Sequence, residues 1–178
     1  MKRSKNKAPT FAERVLKVNH AGENGAVHIY TGQLVFGRWT APGMVPELRD
    51  FRIHEQAHRE IFASELRRRG VKRCRSFALC GIGGYMLGLL TGLFGQTAIA
   101  ATTVAVERVV LAHLREQLRM LDGSDAEAVL AISRIIADEQ EHHDRSATQA
   151  AGGKFWPAIL SPVVALSTES VIWLGMRL

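Results

Sequence analysis

The chain has few cysteines, and its first residues contain no apolar run. Only two cysteines, Cys74 and Cys80, occur in 178 residues, and their spacing matches no zinc or haem pattern. A disulfide framework is therefore not expected, and a reducing compartment is the default. The start, residues 1–8, is basic and leads directly into polar sequence. We therefore expect a short, disordered basic arm and not a secretory signal.

Acidic residues are fewer than basic ones, 17 against 23, which gives a formal net charge of +6. Six of the basic residues form one short cluster: Arg67, Arg68, Arg69, Lys72, Arg73 and Arg75. An uncharged run, residues 76–106, follows at once. This arrangement is typical of contact with an anionic membrane surface, so we expect no nucleic-acid partner. The alternative is a basic helix end that complements the helix dipole.

Two Glu-x-x-His pairs each follow another glutamate by the same 32 residues. Residues i and i+3 of a helix share one face, so the carboxylate and the imidazole of a pair can approach one point. One Glu from each of two helices and a Glu-x-x-His from each of two others can hold two metal ions inside a four-helix bundle. The candidate ligands are Glu23, Glu55, His58, Glu107, Glu139 and His142.

The alternative for each of these residues is an ordinary solvated helix position. It is reasonable for Glu55, which lies in a polar stretch, but not for Glu107, which ends the uncharged run. A carboxylate in such an apolar helix costs several kcal/mol unless it is paired or bound to metal. A single Glu-x-x-His pair would be weak because short motifs arise by chance, but the repeated spacing makes the pattern specific. Mixed carboxylate and imidazole ligands suit iron or manganese, and open positions would suit O₂ activation at two Fe²⁺ ions.

We predict an all-α chain that forms a single ferritin-like domain over residues 1–178. The expected helices cover 9–36, 46–69, 96–121 and 124–151, the last opened by a capping box from Ser124 to Glu127. The two halves form a pseudo-repeat with an offset of 84 residues, since Glu107 corresponds to Glu23 and Glu139 to Glu55.

Two further segments, 77–95 and 155–176, are apolar. A single membrane crossing by residues 77–95 would put the two halves of the metal site on opposite sides, so we interpret this segment as the long crossover between helices 2 and 3 of a ferritin-like bundle. The segment 155–176 is interrupted by Pro157, Pro162 and Glu169, which favours an apolar C-terminal helix at a membrane interface. Two ordinary buried helices are the alternative.

Several motifs resemble those of the demethoxyubiquinone hydroxylase family. They are residues 18–23 (VNHAGE), 29–33 (IYTGQ), 103–107 (TVAVE) with His113, and 138–144 (DEQEHHD). The resemblance extends over most of the chain, to the closing residues 176–178. It implies a di-iron monooxygenase that hydroxylates the ring of a polyprenylated demethoxyubiquinol-type precursor in ubiquinone biosynthesis.

The resemblance also implies cofactors and a location. These are two Fe²⁺ ions with O₂ as co-substrate, and reduced nicotinamide as the source of electrons. The protein would be peripheral to the cytoplasmic face of the cell membrane, or to the matrix face of the mitochondrial inner membrane in a eukaryote. A homo-oligomer or a complex of quinone biosynthesis is left open. The alternative function is a ferritin-like or rubrerythrin-like protein that oxidises iron or scavenges peroxide.

Residues beside the ligands are further candidates. His113 follows Glu107 by six residues, and Asp138 or Asp144 could accept the free N–H of a ligand imidazole. The alternative for all three is a solvated helix residue. Family members often have an aromatic residue after the histidine that matches His113, and here that residue is Leu114. We assign no electron-relay role to Tyr30 or Tyr85.

The repeated ligand pattern predicts two iron ions per chain. Protein purified without chelator, or reconstituted anaerobically with Fe²⁺, should contain about two iron equivalents per chain. Elemental analysis measures this. Zinc alone, or less than one metal per chain after reconstitution, would contradict the prediction.

Overall fold

The computed structural model describes residues 8–177, which are helical with no strand among them. The all-α prediction is confirmed. The predicted basic arm lies outside the described residues except for Ala8. The seven α-helices are α1 Phe11–Thr40, α2 Val45–Arg68, α3 Phe77–Leu93, α4 Gln96–Leu121, α5 Ala126–Ser133, α6 Ile136–Ala150 and α7 Phe155–Gly175, with a short 3₁₀ helix at Pro42–Met44.

Helices α1, α2, α4 and the α5–α6 pair form the expected four-helix bundle. α1 and α4 are antiparallel, since Asn19 near the start of α1 exchanges side-chain hydrogen bonds with Gln117 near the end of α4. α2 returns antiparallel to α1 from the 3₁₀ turn, so α2 and α4 run parallel and α3 must carry the chain back between them. The crossover predicted from the sequence is confirmed, and the fold is ferritin-like.

Two apolar layers fill the bundle. One contains Leu16, Phe62, Leu114 and Ile132, and each of these side chains is buried. The other lies towards the opposite end of the same helices and includes Phe51 and Ile99. The six candidate ligands fall between these layers in the sequence of every helix that carries them. The core therefore surrounds a polar centre with apolar side chains at both ends.

The first helix is longer than the sequence predicts. Its start agrees, because Thr10 and Glu13 form a reciprocal capping box in which the Glu13 N–H donates to the Thr10 hydroxyl and the Thr10 N–H to the Glu13 carboxylate. Its end does not lie at residue 36, since the helix continues through Gly37 to Thr40. A Cβ on Gly37 would make only ordinary contact with side chains of α2 and α4. This glycine therefore lies in the packed interior of the helix and does not terminate it.

The predicted fourth helix is divided in two. The break falls at residues 134–135, where the Ile135 N–H donates to the Ile132 carbonyl, one residue nearer than in an α-helix. The tighter turn lets Ile132 and Ile135 both be fully buried. The predicted cap at Ser124 is also wrong, because Asp125 accepts from the Ala128 N–H and binds Arg69. The Ser124 hydroxyl instead donates to the Leu121 carbonyl.

α3 packs along α1, and glycine makes the close approach possible. A Cβ on Gly92 would lie 2.8 Å from the carbonyl oxygen of Gln33, and one on Gly88 would overlap the carbonyl of Ile29. The two helices run in the same direction with their backbones almost in contact. The outward side of α3 is left exposed and apolar, as at Ile82 and Leu90, which are 66% and 55% exposed.

α7 covers the neighbouring helix, α4, and also leaves an apolar side exposed. Trp156 stacks on Phe94 near its start, and Glu169 binds His113 near its end. By length and composition α4 and α7 could each cross a membrane, and their most apolar 18 residues are 67% and 11% buried. α4 is therefore a core helix, whereas α7 presents apolar side chains outward beside α3.

Substitution of Gly88 tests the α1–α3 contact. We expect Gly88→Ala to destabilise the protein by about 1–3 kcal/mol, because the added methyl group overlaps a backbone carbonyl that cannot move freely. The matched control is Gly83→Ala in the same helix, where a Cβ meets no atom within 4 Å, and it should stabilise by up to about 1 kcal/mol. Chemical unfolding in detergent measures both, and equal effects would contradict the packing described.

Candidate metal centre

All six candidate ligands meet inside the bundle. α1 supplies one glutamate and α4 another, while α2 and α6 each supply a Glu-x-x-His pair. None of these residues is more than 5% exposed. The residues are Glu23, Glu55, His58, Glu107, Glu139 and His142. A solvated surface position is therefore excluded for each of them.

The six side chains form two overlapping groups of four. Glu55 and Glu139 belong to both groups, and in each group the possible ligand atoms lie within 4.8 Å of one another. Glu23 and His58 complete the first group, and Glu107 completes the second with His142. This arrangement would suit two neighbouring metal ions that share two carboxylates.

The donor atoms approach one another without pairing. Nδ1 of His58 is 3.0 Å from Oε1 of Glu139, and Nδ1 of His142 is 3.1 Å from Oε1 of Glu55. Yet both nitrogens, and both carboxylate oxygens of Glu55, are buried without a hydrogen-bond partner. Buried polar atoms are rarely left unsatisfied. Side chains that point to shared positions and not to each other fit metal ions well.

The electrostatics of the metal-free centre favour protonated ligands. Burial raises the pKa of Glu23 and of Glu107 well above the ordinary value, and the charges of Glu55 and Glu139 raise both further. Burial lowers the pKa of His58, but the adjacent carboxylates of Glu139 and Glu55 outweigh it and raise that pKa to about 12. The metal-free centre therefore retains protons that a pair of divalent ions would displace.

Three side chains contact the candidate ligands from outside. Asp138 lies 2.9 Å from Nε2 of His58, as the sequence suggested for one of the two aspartates. Nδ1 of His54 lies 3.1 Å from Nε2 of His142. The Tyr30 hydroxyl donates to Glu107 over 3.2 Å. Each contact restrains the orientation of a ligand side chain.

The other two outer candidates lie elsewhere. Asp144 accepts hydrogen bonds from Gln140 and His143 on the exposed side of α6. His113 binds Glu169 over 2.8 Å and so joins α4 to α7. The structure thus brings only Asp138 of the three to a ligand imidazole.

Sequence reasoning did not predict the contacts that His54 and Tyr30 make with the candidate ligands. A signal for His54 was present, since the 84-residue offset that relates the two halves also relates His54 to Asp138. Tyr30 gave a weaker signal. It follows Glu23 by two helical turns on the inner face of α1, where it also packs edge-on against His142.

A small, narrow crevice lies beside the centre, and it has no room for a water molecule. Its lining consists of Ala26, Ile29, Tyr30, Thr103, Val106 and Glu107. Leu87 of α3 and Leu160 and Val164 of α7 pack against the cluster that contains Ile29 and Val106. Side chains of both α3 and α7 therefore cover this side of the centre.

The bundle and its buried cluster of carboxylates and imidazoles identify a class of protein. This class is the ferritin-like carboxylate proteins that hold dinuclear metal sites. The family described as "Ubiquinone biosynthesis protein COQ7" matches residues 10–175, and the chain belongs to this family. The resemblance seen in the sequence motifs is confirmed.

The names of curated relatives agree with this family. The chain is 33% identical over 168 residues to the NADPH-dependent 3-demethoxyubiquinone 3-hydroxylase, mitochondrial, of Dictyostelium discoideum, which covers 93% of this chain and 76% of that protein. It is 32% identical over 168 residues to the 3-demethoxyubiquinol 3-hydroxylase of Rhodospirillum rubrum, with 93% and 77% covered. The human relative, also named a mitochondrial NADPH-dependent hydroxylase, is 30% identical over 171 residues, again with 93% and 77% covered. These relatives favour the hydroxylase over the iron-handling alternative.

The shifted pKa values predict how metal-free protein responds to pH. The raised pKa values of Glu23 and Glu107 stabilise the folded state below pH 4.5, and this contribution is lost as the pH rises through the raised values. His58 acts in the same direction above pH 6.5. Burial lowers the pKa of His20 to about 4, so this group acts in the opposite direction between about pH 4 and 6.5. The free energy of unfolding should therefore fall above about pH 6.5.

Urea unfolding with chelator present measures this dependence. Glu107→Gln, which keeps a neutral side chain in place, should flatten it. The metal-loaded protein should behave in the opposite way, because deprotonated ligands bind metal better. A metal-free protein that gains stability as the pH rises above about 6.5 would contradict the assigned charges.

Proposed function

We propose that the chain is a membrane-peripheral di-iron hydroxylase, which adds a ring hydroxyl to a polyprenylated demethoxyubiquinol-type precursor in ubiquinone biosynthesis. The observation that carries the proposal is the buried cluster of four carboxylates and two imidazoles. The names of the relatives support the reaction, because they specify hydroxylation of demethoxyubiquinone or demethoxyubiquinol. Reduced nicotinamide is the proposed source of electrons, as in the relatives named NADPH-dependent.

The six buried residues would hold two iron ions. Glu23 and His58 would bind one, Glu107 and His142 the other, and Glu55 and Glu139 would be shared. When bound, the iron pair supplies the O₂ activation that hydroxylation of a ring requires. Outer contacts keep the ligands in place. The Tyr30 hydroxyl holds one oxygen of Glu107, and Asp138 fixes which nitrogen of His58 faces the metal.

We place the entry of the quinol ring at this crevice. Its lining at Ala26, Ile29 and Val106 offers a flat ring an apolar environment, but the crevice has no room for a water molecule, so the surrounding side chains would have to move for a ring to enter. Its polar lining groups are Tyr30, Thr103 and Glu107. Because side chains of α3 and α7 cover the crevice, the isoprenoid tail would remain in the lipid beside these helices while the ring reaches the centre.

The exposed sides of α3 and α7 form the proposed membrane face. Large apolar side chains stand outward on both helices: Leu79, Ile82, Met86, Leu90 and Leu93 on α3, and Phe155, Ile159, Val163, Leu166 and Trp173 on α7. The tryptophan lies beneath the guanidinium of Arg177, a combination typical of the membrane interface. The protein would rest on the cytoplasmic face of a cell membrane, or on the matrix face of the mitochondrial inner membrane.

Internal ion pairs engage part of the basic cluster. Arg69 binds Glu65 and Asp125, Arg68 also binds Glu65, and Arg67 binds Glu60. The exposed residues Lys72, Arg73 and Arg75 are the part of the cluster left for anionic lipid. About three charges, each worth about 1 kcal/mol near the surface, would add to the apolar contact.

The substrate is tested by the quinones of a deletion strain. Loss of the gene, in a host with no second hydroxylase, should cause a polyprenylated precursor to accumulate that lacks one ring oxygen and the methoxy group derived from it. The wild-type gene should restore ubiquinone. Glu139→Ala should fail because it removes a shared ligand, whereas Glu141→Ala, an exposed glutamate on the same helix, should succeed. Extraction and mass spectrometry measure the quinones, and an unchanged profile in the deletion strain would overturn the substrate assignment.

Vesicle flotation tests the membrane face. Protein should float with vesicles of anionic lipid and remain partly bound at high salt, since the apolar contact is not screened. The double change Ile82→Gln and Leu90→Gln should abolish the salt-resistant part. Leu130→Gln, at an exposed leucine on α5, is the matched control and should leave it intact. Full release of the wild-type protein by salt alone would show that the apolar face does not enter lipid.

A further inference from the structure

The pseudo-repeat reaches beyond the ligands to the residues that support them. An offset of 84 residues relates His58 to His142. The same offset relates His54 to Asp138, and each of these two residues directly precedes the glutamate of a Glu-x-x-His pair. These two supporting residues occupy the same place in their halves. Their chemistry differs, because one is an imidazole and the other a carboxylate.

Each supporting residue reaches across to the ligand of the other half. Asp138 of α6 lies 2.9 Å from Nε2 of His58 on α2. His54 of α2 places its Nδ1 3.1 Å from Nε2 of His142 on α6. The two ligand imidazoles thus have matching surroundings, with Nδ1 towards the carboxylates and Nε2 towards a supporting residue.

The supporting contacts set the proton positions. A ligand imidazole that binds metal through Nδ1 carries its proton on Nε2, and that N–H needs an acceptor. For His58 the acceptor is the carboxylate of Asp138. For His142 it is the Nδ1 lone pair of His54, whose own proton is then on Nε2, 3.8 Å from Asp50.

A carboxylate acceptor strengthens the metal bond more than a neutral imidazole does. It increases the electron density on the ligand nitrogen and adds a negative charge near the metal, and such outer partners are worth about 10–100-fold in metal affinity. The side chains of Asp138 and His54 are similarly exposed, 41% and 31%, so solvent screens both and the difference between a charged and a neutral acceptor remains. The hydrogen bond from Tyr30 to Glu107 acts in the same direction, because it withdraws electron density from a ligand of the second position.

We infer that His54 is a positioning residue that makes the two metal positions unequal, so that the position of Glu23 and His58 fills before that of Glu107 and His142. This inference rests on the proposed metal centre. It identifies the second position as the one from which metal is more easily lost. His54 makes the larger contribution to this asymmetry, and an aspartate at position 54 would give the second half the same supporting chemistry as the first.

Anaerobic titration of the metal-free protein with Co²⁺ tests the inference, because the visible absorption of the ion reports its ligands and needs no turnover. The wild-type protein should bind two equivalents in two steps, the second about 10–100-fold weaker. His54→Asp should strengthen the second step until the two steps merge. Asp138→Asn should weaken the first step until its affinity approaches that of the second step.

The control is Gln56→Asp, which adds the same charge at an exposed position on α2 and should leave both steps unchanged. Two equal steps in the wild-type protein would overturn the inference, as would a second step that His54→Asp and Gln56→Asp strengthen equally. Asp138→Asn provides an independent result on the other half if His54→Asp does not fold. Failure of the wild-type protein to bind Co²⁺ at all would overturn the metal centre itself, and is distinguishable from either outcome.

Discussion

Mutual repulsion among four buried carboxylates is the constraint on which the rest of the structure depends. Glu23, Glu55, Glu107 and Glu139 lie in one cluster and are almost fully buried. Charges taken out of water at this depth cost several kcal/mol each unless they are compensated. The raised pKa values of Glu23, Glu107 and His58 relieve this repulsion in the metal-free centre, and two divalent ions would neutralise all four carboxylates. The apolar layers at both ends of the cluster would hold the ligands in place once the ions are bound.

The same arrangement explains the long apolar crossover. Ligands on two helical hairpins face one centre when α2 and α4 run parallel, and parallel neighbours need a segment that carries the chain back. α3 is that segment, and it packs so closely on α1 that its inner side is glycine. Its outer side carries exposed apolar side chains, as does that of α7. One connection thus joins the two halves and also supplies part of the apolar surface that we propose as the membrane face.

That the six candidate residues would meet could be predicted, because their spacing is a property of the helix itself. A repeat of 32 residues and a pair at i and i+3 specify which side chains can meet. The break at residues 134–135 could not be predicted, because the burial of Ile132 and Ile135 determines it. The cap at Asp125 could not be predicted either, because it depends on the bond to Arg69. Local patterns do not contain such tertiary contacts. The contact between His54 and His142 could have been predicted, because the 84-residue repeat also includes the residue that precedes each Glu-x-x-His pair.

Anomalous X-ray diffraction from crystals loaded with iron tests the central claim most directly. The structure predicts two iron peaks about 3.5–4 Å apart in the core of the bundle. One should lie beside Nδ1 of His58 and the other beside Nδ1 of His142, with Glu55 and Glu139 in contact with both. A single peak, or iron bound anywhere else in the chain while these six residues remain metal-free, would contradict the account.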